Sequence, residues 1–180
     1  MRRALALLLI AAGAAIPAAV PRQAPEFIVS GAIPGGDILL SKTRGKPVLL
    51  FFFFTTCPHC QKATGVLNAL QQEYAPRGLL VIGAAFNENS AVLYRNFIAQ
   101  YRPIFPVGYS PRPAVADFLQ HAPQNPFMVP IFVFIDRKGS IRAQYLGSDP
   151  FFLDQEKNTR AMIEELLKGA PPAKPAPKKK

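Results

Sequence analysis

The chain has 180 residues, enough for one domain with short extensions. Hydrophobic residues make up 49% and charged residues 18%, a globular balance that excludes wholesale disorder. The formal net charge is +10, but Arg2, Arg3, Lys174, Lys178, Lys179 and Lys180 sit at the two ends. Removing them leaves fifteen basic against eleven acidic residues. A nucleic-acid-binding domain clusters its positive charge on the fold, so no nucleic-acid partner is expected.

Met1-Arg2-Arg3 is a short positive region, followed by an uncharged, mostly Ala, Leu and Ile stretch from Ala4 to Val20. This layout predicts a secretory leader over residues 1–22, with cleavage between Ala14 and Pro25. The competing reading is an uncleaved N-terminal anchor, which Gly13, Pro17 and the short span disfavour. Either way the body, residues 26–169, is expected outside the cytoplasm, at the periplasm or the outer face of the membrane. Residues 170–180, rich in Pro and Lys, predict an extended solvated tail.

Within the body, Phe27-Ile28-Val29 and Ile38-Leu39-Leu40 flank Pro34-Gly35-Gly36 and predict a hairpin. Val48 to Phe54 is an unbroken apolar run between Pro47 and Thr55-Thr56-Cys57-Pro58, which suits a strand buried on both faces. Pro58 to Tyr74 reads as a helix with Pro in its first turn and an apolar stripe of Ala63, Val66, Leu67, Leu70 and Tyr74. Leu79 to Ala85 is a second buried strand, and Ala91 to Tyr101 a second helix. Residues 103–126 carry six prolines and one short helical piece near Ala114 to His121. Ile131 to Ile135 is a third buried strand, Ile141 to Leu146 its hairpin partner, and Phe151 to Lys168 a last helix that Asp149 caps and Gly169 closes. The order predicts an α/β fold, a mixed central sheet flanked by helices on both faces.

Both cysteines lie in Phe54-Thr55-Thr56-Cys57-Pro58-His59-Cys60, where a buried strand gives way to a helix. Catalytic sites of open α/β sheets lie beyond the carboxyl ends of the strands. A sulfur at Cys57 sits beside the positive end of a helix, which favours the thiolate; Cys60 lies one turn later and deeper. A thiolate at the first position attacks a disulfide, and the second thiol displaces the bound partner. A structural disulfide over so tiny a loop stabilises little. A metal site built on Cys57, Cys60 and His59 or His121 lacks a second ligand pair. The redox dithiol needs nothing more, and no metal, nucleotide, flavin or haem cofactor is expected.

Arg44-Gly45-Lys46-Pro47-Val48-Leu49-Leu50, the phenylalanine run and Cys57-Pro58-His59-Cys60 resemble the start of a thioredoxin-fold domain. The match is to the TlpA/ResA-like branch of exported thiol–disulfide oxidoreductases. Val129-Pro130 and the strand to Gly139 resemble that family's second landmark. The resemblance implies that Pro130 is cis and faces the dithiol, and that the Val129 backbone pairs with a bound substrate strand. Pro130 lies 70 positions after Cys60, which agrees with the extra αβ insert of this branch. It also implies protein thiols and disulfides of the cell envelope as substrates, and a membrane or soluble redox partner.

Three departures stand out. Thr55 and Thr56 occupy the places of the family's tryptophan, Ala63 that of a glutamate, and Phe51 that of the buried aspartate of thioredoxins. The carboxylate that takes the proton of the buried thiol therefore has no evident counterpart; Glu88, beyond the second strand, is the nearest candidate. Pro58 and His59 tune the pair, and Pro-His resembles the dipeptide of DsbA-type oxidases, whereas the layout resembles a branch that mostly reduces. Motif and layout point different ways and leave the direction of electron flow open, the local chemistry leaning only marginally to oxidation or isomerisation. Phe105, Phe127 and Met128 are expected to line an apolar groove near Pro130, and His121 to be a surface residue. A peroxiredoxin-like (AhpC/TSA) thiol peroxidase is the first alternative, but Phe54 stands where its Pro-x-x-x-Thr-x-x-Cys signature requires threonine. A copper chaperone on the same fold is the second.

Overall fold

A computed structural model describes residues 19–34 and 36–168. Most of the expected leader, Gly169 and the tail lie outside the described residues. The strands are β1 (Arg22–Gln23), β2 (Ile28–Ile33), β3 (Gly36–Leu39), β4 (Val48–Phe53), β5 (Leu80–Ala85), β6 (Val107–Tyr109), β7 (Ile131–Ile135) and β8 (Ser140–Tyr145). The helices are α1 (Pro58–Tyr74), α2 (Ser90–Tyr101), α3 (Arg112–Leu119) and α4 (Gln155–Leu167).

One mixed sheet runs in the order β1-β8-β7-β4-β5-β6-β2-β3. At its centre β4 pairs parallel to β5 and antiparallel to β7, and all six β4 residues are buried. Strand alternation sends successive side chains to opposite faces. Leu49, Phe51 and Phe53 pack with Ala63, Leu67 and Leu70 of α1, Phe97 of α2 and Ile163 of α4. Val48, Leu50 and Phe52 pack with Phe27 and with Val115 and Phe118 of α3. The phenylalanine run is thus shared between two core layers, with Phe51 stacked on Phe53 at 4.7 Å and Phe52 edge-on to Phe27 at 5.2 Å. Gln71 pins α1 to β5: its amide donates to the Leu79 carbonyl (3.2 Å) and accepts from the Val81 N–H (2.7 Å) inside the core.

Two strands were not evident from the sequence. β6 is only Val107-Gly108-Tyr109, hemmed by Pro106 and Pro111, so propensity hides it. Its glycine is steric: a Cβ at Gly108 would meet the Ser30 carbonyl oxygen at 2.2 Å, where β2 crosses. β1 takes in Arg22, whose guanidinium donates to the Phe118 carbonyl (3.0 Å) and to Gln144 Oε1 (2.9 Å), so the sheet begins ahead of residue 26. The expected helix from Phe151 divides instead. Asp149 accepts from the Phe151 N–H (2.8 Å), but Pro150–Asp154 winds as a 3₁₀ turn before α4 begins. That turn lets Phe151 and Phe152 both pack against Phe132.

Candidate active site

Cys57 stands between β4 and α1. Its backbone is extended (φ −83°, ψ 118°), it caps the helix, and Pro58 occupies the first turn, where a missing N–H removes nothing. The turn is pinned from both sides. Cys57 N–H donates to the Phe54 carbonyl (3.1 Å), and Thr55 N–H donates to Asn87 Oδ1 (2.9 Å) from the loop after β5. Gln61 Nε2 closes the turn on the Thr55 carbonyl (3.2 Å). Asn87 and Gln61 carry no motif, and only their position beside the loop marks them.

Cys57 is half-buried and Cys60 fully buried, and both are free thiols. The Cys57 sulfur makes no bond to the first-turn amides. It lies 3.9 Å from the Val129 carbonyl oxygen, and the Val129–Pro130 peptide is cis. Burial, the hydrogen bond to Cys57 and repulsion from it all push the Cys60 thiol far up, against a weaker opposing bond from the Phe54 backbone. Cys60 therefore stays protonated until its sulfur reacts. Ala63 and Phe51, where the family resemblance led to expecting carboxylates, are wholly apolar and buried here. Glu88 is exposed and lines a separate depression with Ser110 and Arg112.

Beside the dithiol lies a groove of about 450 Å³, lined among others by His59, Lys62, Met128, Pro130, Gly147 and Leu153. Pro58 and His59 are exposed on α1, and Pro130 is buried at the groove floor. Of the three residues expected to form this groove, only Met128 does. Phe105 is buried in the same core layer as Cys60 but away from Pro130, beside Gly83 and under the β2–α2 cleft. Phe127 turns to the other side of the cis-proline loop, edge-on to Phe86 at 5.0 Å and stacked on the His121 ring at 4.1 Å. His121 Nε2 meets the Asn125 carbonyl (3.1 Å), a local loop contact. Among the described residues no cluster of His, Cys, Asp and Glu is arranged to hold a metal.

Gly147 escaped the sequence reading. Its N–H donates to the Met128 carbonyl (2.7 Å), and a Cβ there would meet the Val129 carbonyl carbon and oxygen at 2.7 Å. Only a bare backbone fits against the segment that faces Cys57. The signal available was a Gly closing the β8 hairpin strand, which reads equally as an ordinary turn.

A thioredoxin-like sheet with a half-buried first cysteine, a buried second and a cis-proline facing them defines a thiol–disulfide oxidoreductase. The chain belongs to the AhpC/TSA family, whose profile matches residues 20–144. It is similar to the thiol-disulfide oxidoreductase ResA of Bacillus thuringiensis (27% identity, 85% of this chain, 79% of that one). It is also similar to the thioredoxin-like protein YneN of Bacillus subtilis (30% identity, 71% of each chain). A thiol:disulfide interchange protein from Chlorobium tepidum shares the fold with TM-score 0.63 at 23% identity, over 81% of this chain and 99% of that one.

Proposed function

We propose that this chain is exported and exchanges disulfides with protein substrates in the cell envelope through Cys57 and Cys60. The observation that carries the reading is the Cys57 sulfur, accessible at the end of β4 and 3.9 Å from the Val129 carbonyl, with Cys60 buried behind it. The leader-like residues 1–22 and the relation to ResA support export. Among the described residues no helix is long and apolar enough to cross a membrane.

In the reductive direction the Cys57 thiolate attacks one sulfur of a substrate disulfide. A Cys57–substrate bond forms, the substrate S–S bond breaks, and the second substrate sulfur leaves as a thiolate. That thiolate takes the Cys60 proton, and the Cys60 sulfur then attacks Cys57. The Cys57–Cys60 disulfide forms as the Cys57–substrate bond breaks, and the substrate departs with two electrons as one thiol and one thiolate, the latter taking its proton from water. No carboxylate is needed, because the departing thiolate is itself the base. Oxidation is the same path reversed, and the potential of the pair against its partner sets the direction. Val129 and Pro130 present the backbone along which the substrate chain lies, and Pro58 and His59 set the environment of the first sulfur.

The test is capture. With Cys60→Ser, a mixed disulfide through Cys57 should accumulate with a protein disulfide substrate. With Cys57→Ser it should be lost by at least a hundredfold. Equal capture by both variants would contradict the assigned order of the two thiols. The peroxidase alternative is disfavoured by Phe54, whose ring packs on Phe86 at 4.7 Å where that chemistry needs a hydroxyl.

A further inference from the structure

Arg112 is placed against local electrostatics. It is the first residue of α3, at the positive end of the helix dipole, where a cation is disfavoured. The ion pairs among the described residues use Arg77, Arg142, Arg160 and Lys168, and none uses Arg112. Glu88, across the same shallow depression, makes no ion pair with it. Two aromatic rings hold the guanidinium instead: its carbon lies 4.8 Å from the Phe127 centroid and 5.7 Å from that of Phe54.

Those rings come from the two loops that meet at the dithiol. Phe54 is three residues before Cys57, and its carbonyl accepts the Cys57 N–H. Phe127 is two residues before Val129, whose carbonyl faces the Cys57 sulfur. The guanidinium therefore bridges both loops, and its Phe127 contact is two residues along the chain from Val129. It stands on the side of the cis-proline loop opposite the Met128–Leu153 groove. A cation that is anchored, exposed and without a carboxylate has its planar donors free for one. The excess of fifteen basic over eleven acidic residues outside the two ends attracts the same class of partner.

We propose that Arg112 is a specificity-determining residue that pairs with an acidic side chain two or three positions from the reactive cysteine of a polypeptide substrate. The proposal rests on the disulfide-exchange reading above. A strand lying along Val129 and continuing over Met128 toward Phe127 brings such a side chain under the guanidinium. Phe54 and Phe127 supply aromatic surface next to the dithiol, and they use it to hold a charge.

The experiment compares two disulfide-linked peptides that differ only in an Asp or a Lys two residues from the cysteine, with hydroxyethyl disulfide as a neutral small substrate. The full chain should prefer the Asp peptide, and the preference should shrink as ionic strength rises. Arg112→Ala should lower kcat/KM for the Asp peptide about tenfold, the worth of one charge-assisted pair, and leave hydroxyethyl disulfide unchanged. Arg112→Glu should invert the preference. Equal loss on both peptides and on the small disulfide would show a structural clasp between the loops and overturn the proposal. Unchanged kinetics on both peptides would overturn it too, while leaving the exchange reading intact. Failure of the wild type to react with hydroxyethyl disulfide through Cys57 would instead defeat the exchange reading, and this proposal with it.

Discussion

A thiol as buried as Cys60 ties stability to pH with a definite sign. Its folded-state titration lies far above the ordinary 9.0, because burial and the neighbouring Cys57 both oppose the charged form. The stability it contributes is complete below 9.0 and is lost as pH climbs, because the unfolded thiol ionises while the folded one stays neutral. The reduced protein should therefore lose up to about 1.4 kcal/mol per pH unit above that point through this group alone. Urea titrations of reduced wild type and Cys60→Ala on either side of 9.0 measure it. The variant's curve should fall less steeply, and parallel curves would show that Cys60 ionises freely in the fold. At this scale the sequence was informative where chemistry requires a residue type and silent where it requires only a place. Two cysteines at this spacing announce themselves. Asn87, Gln61 and Arg112 act through what the fold sets beside them, and no local pattern marks a position across the molecule.

At the scale of elements, the site is held by the junctions that close on it. The β4–α1 turn is pinned by Asn87 and Gln61, and the cis-proline loop rests on the exit of β8 at Gly147. Gly147→Ala forces a methyl against the Val129 backbone, which must shift because the contacts are main chain rather than a flexible side-chain tip. Overpacking of this kind costs about 1–3 kcal/mol. A displacement near 1 Å slows a positioned reaction by up to about a hundredfold. The variant should lose protein-disulfide turnover while a small reagent still alkylates Cys57 at the wild-type rate. Equal slowing of both would place the damage at the sulfur itself. The long periodic elements β4, α1, β5 and β7 were legible because uninterrupted apolar runs and a helical stripe have few alternative readings. β6 was not, since three residues with a central glycine between prolines carry no periodicity. The 3₁₀ turn ahead of α4 was missed because Asp149 and Pro150 signal a helix start without saying how the first turn winds.

Across the whole molecule, the order of elements brings residues 57 and 129 together. β4 and β7 are hydrogen-bonded neighbours in the sheet, so the turn leaving one and the loop entering the other must meet at the same edge. The Cys57–Val129 approach is thus a consequence of topology, and the family resemblance in the sequence anticipated it where spacing alone did not. The expected groove was only partly right for the same reason. Phe105 enters the sheet beside β6, three places from β7 and away from Pro130. In the proposed function the two sulfurs form one reversible couple, entered through Cys57. Equilibrating the chain in glutathione buffers of graded potential, followed by mass analysis of acid-quenched samples, tests it directly. A single two-electron transition to an intramolecular Cys57–Cys60 disulfide is predicted, with any trapped glutathione on Cys57. Glutathione on Cys60 with Cys57 unreacted, or no intramolecular disulfide at any potential, would contradict it.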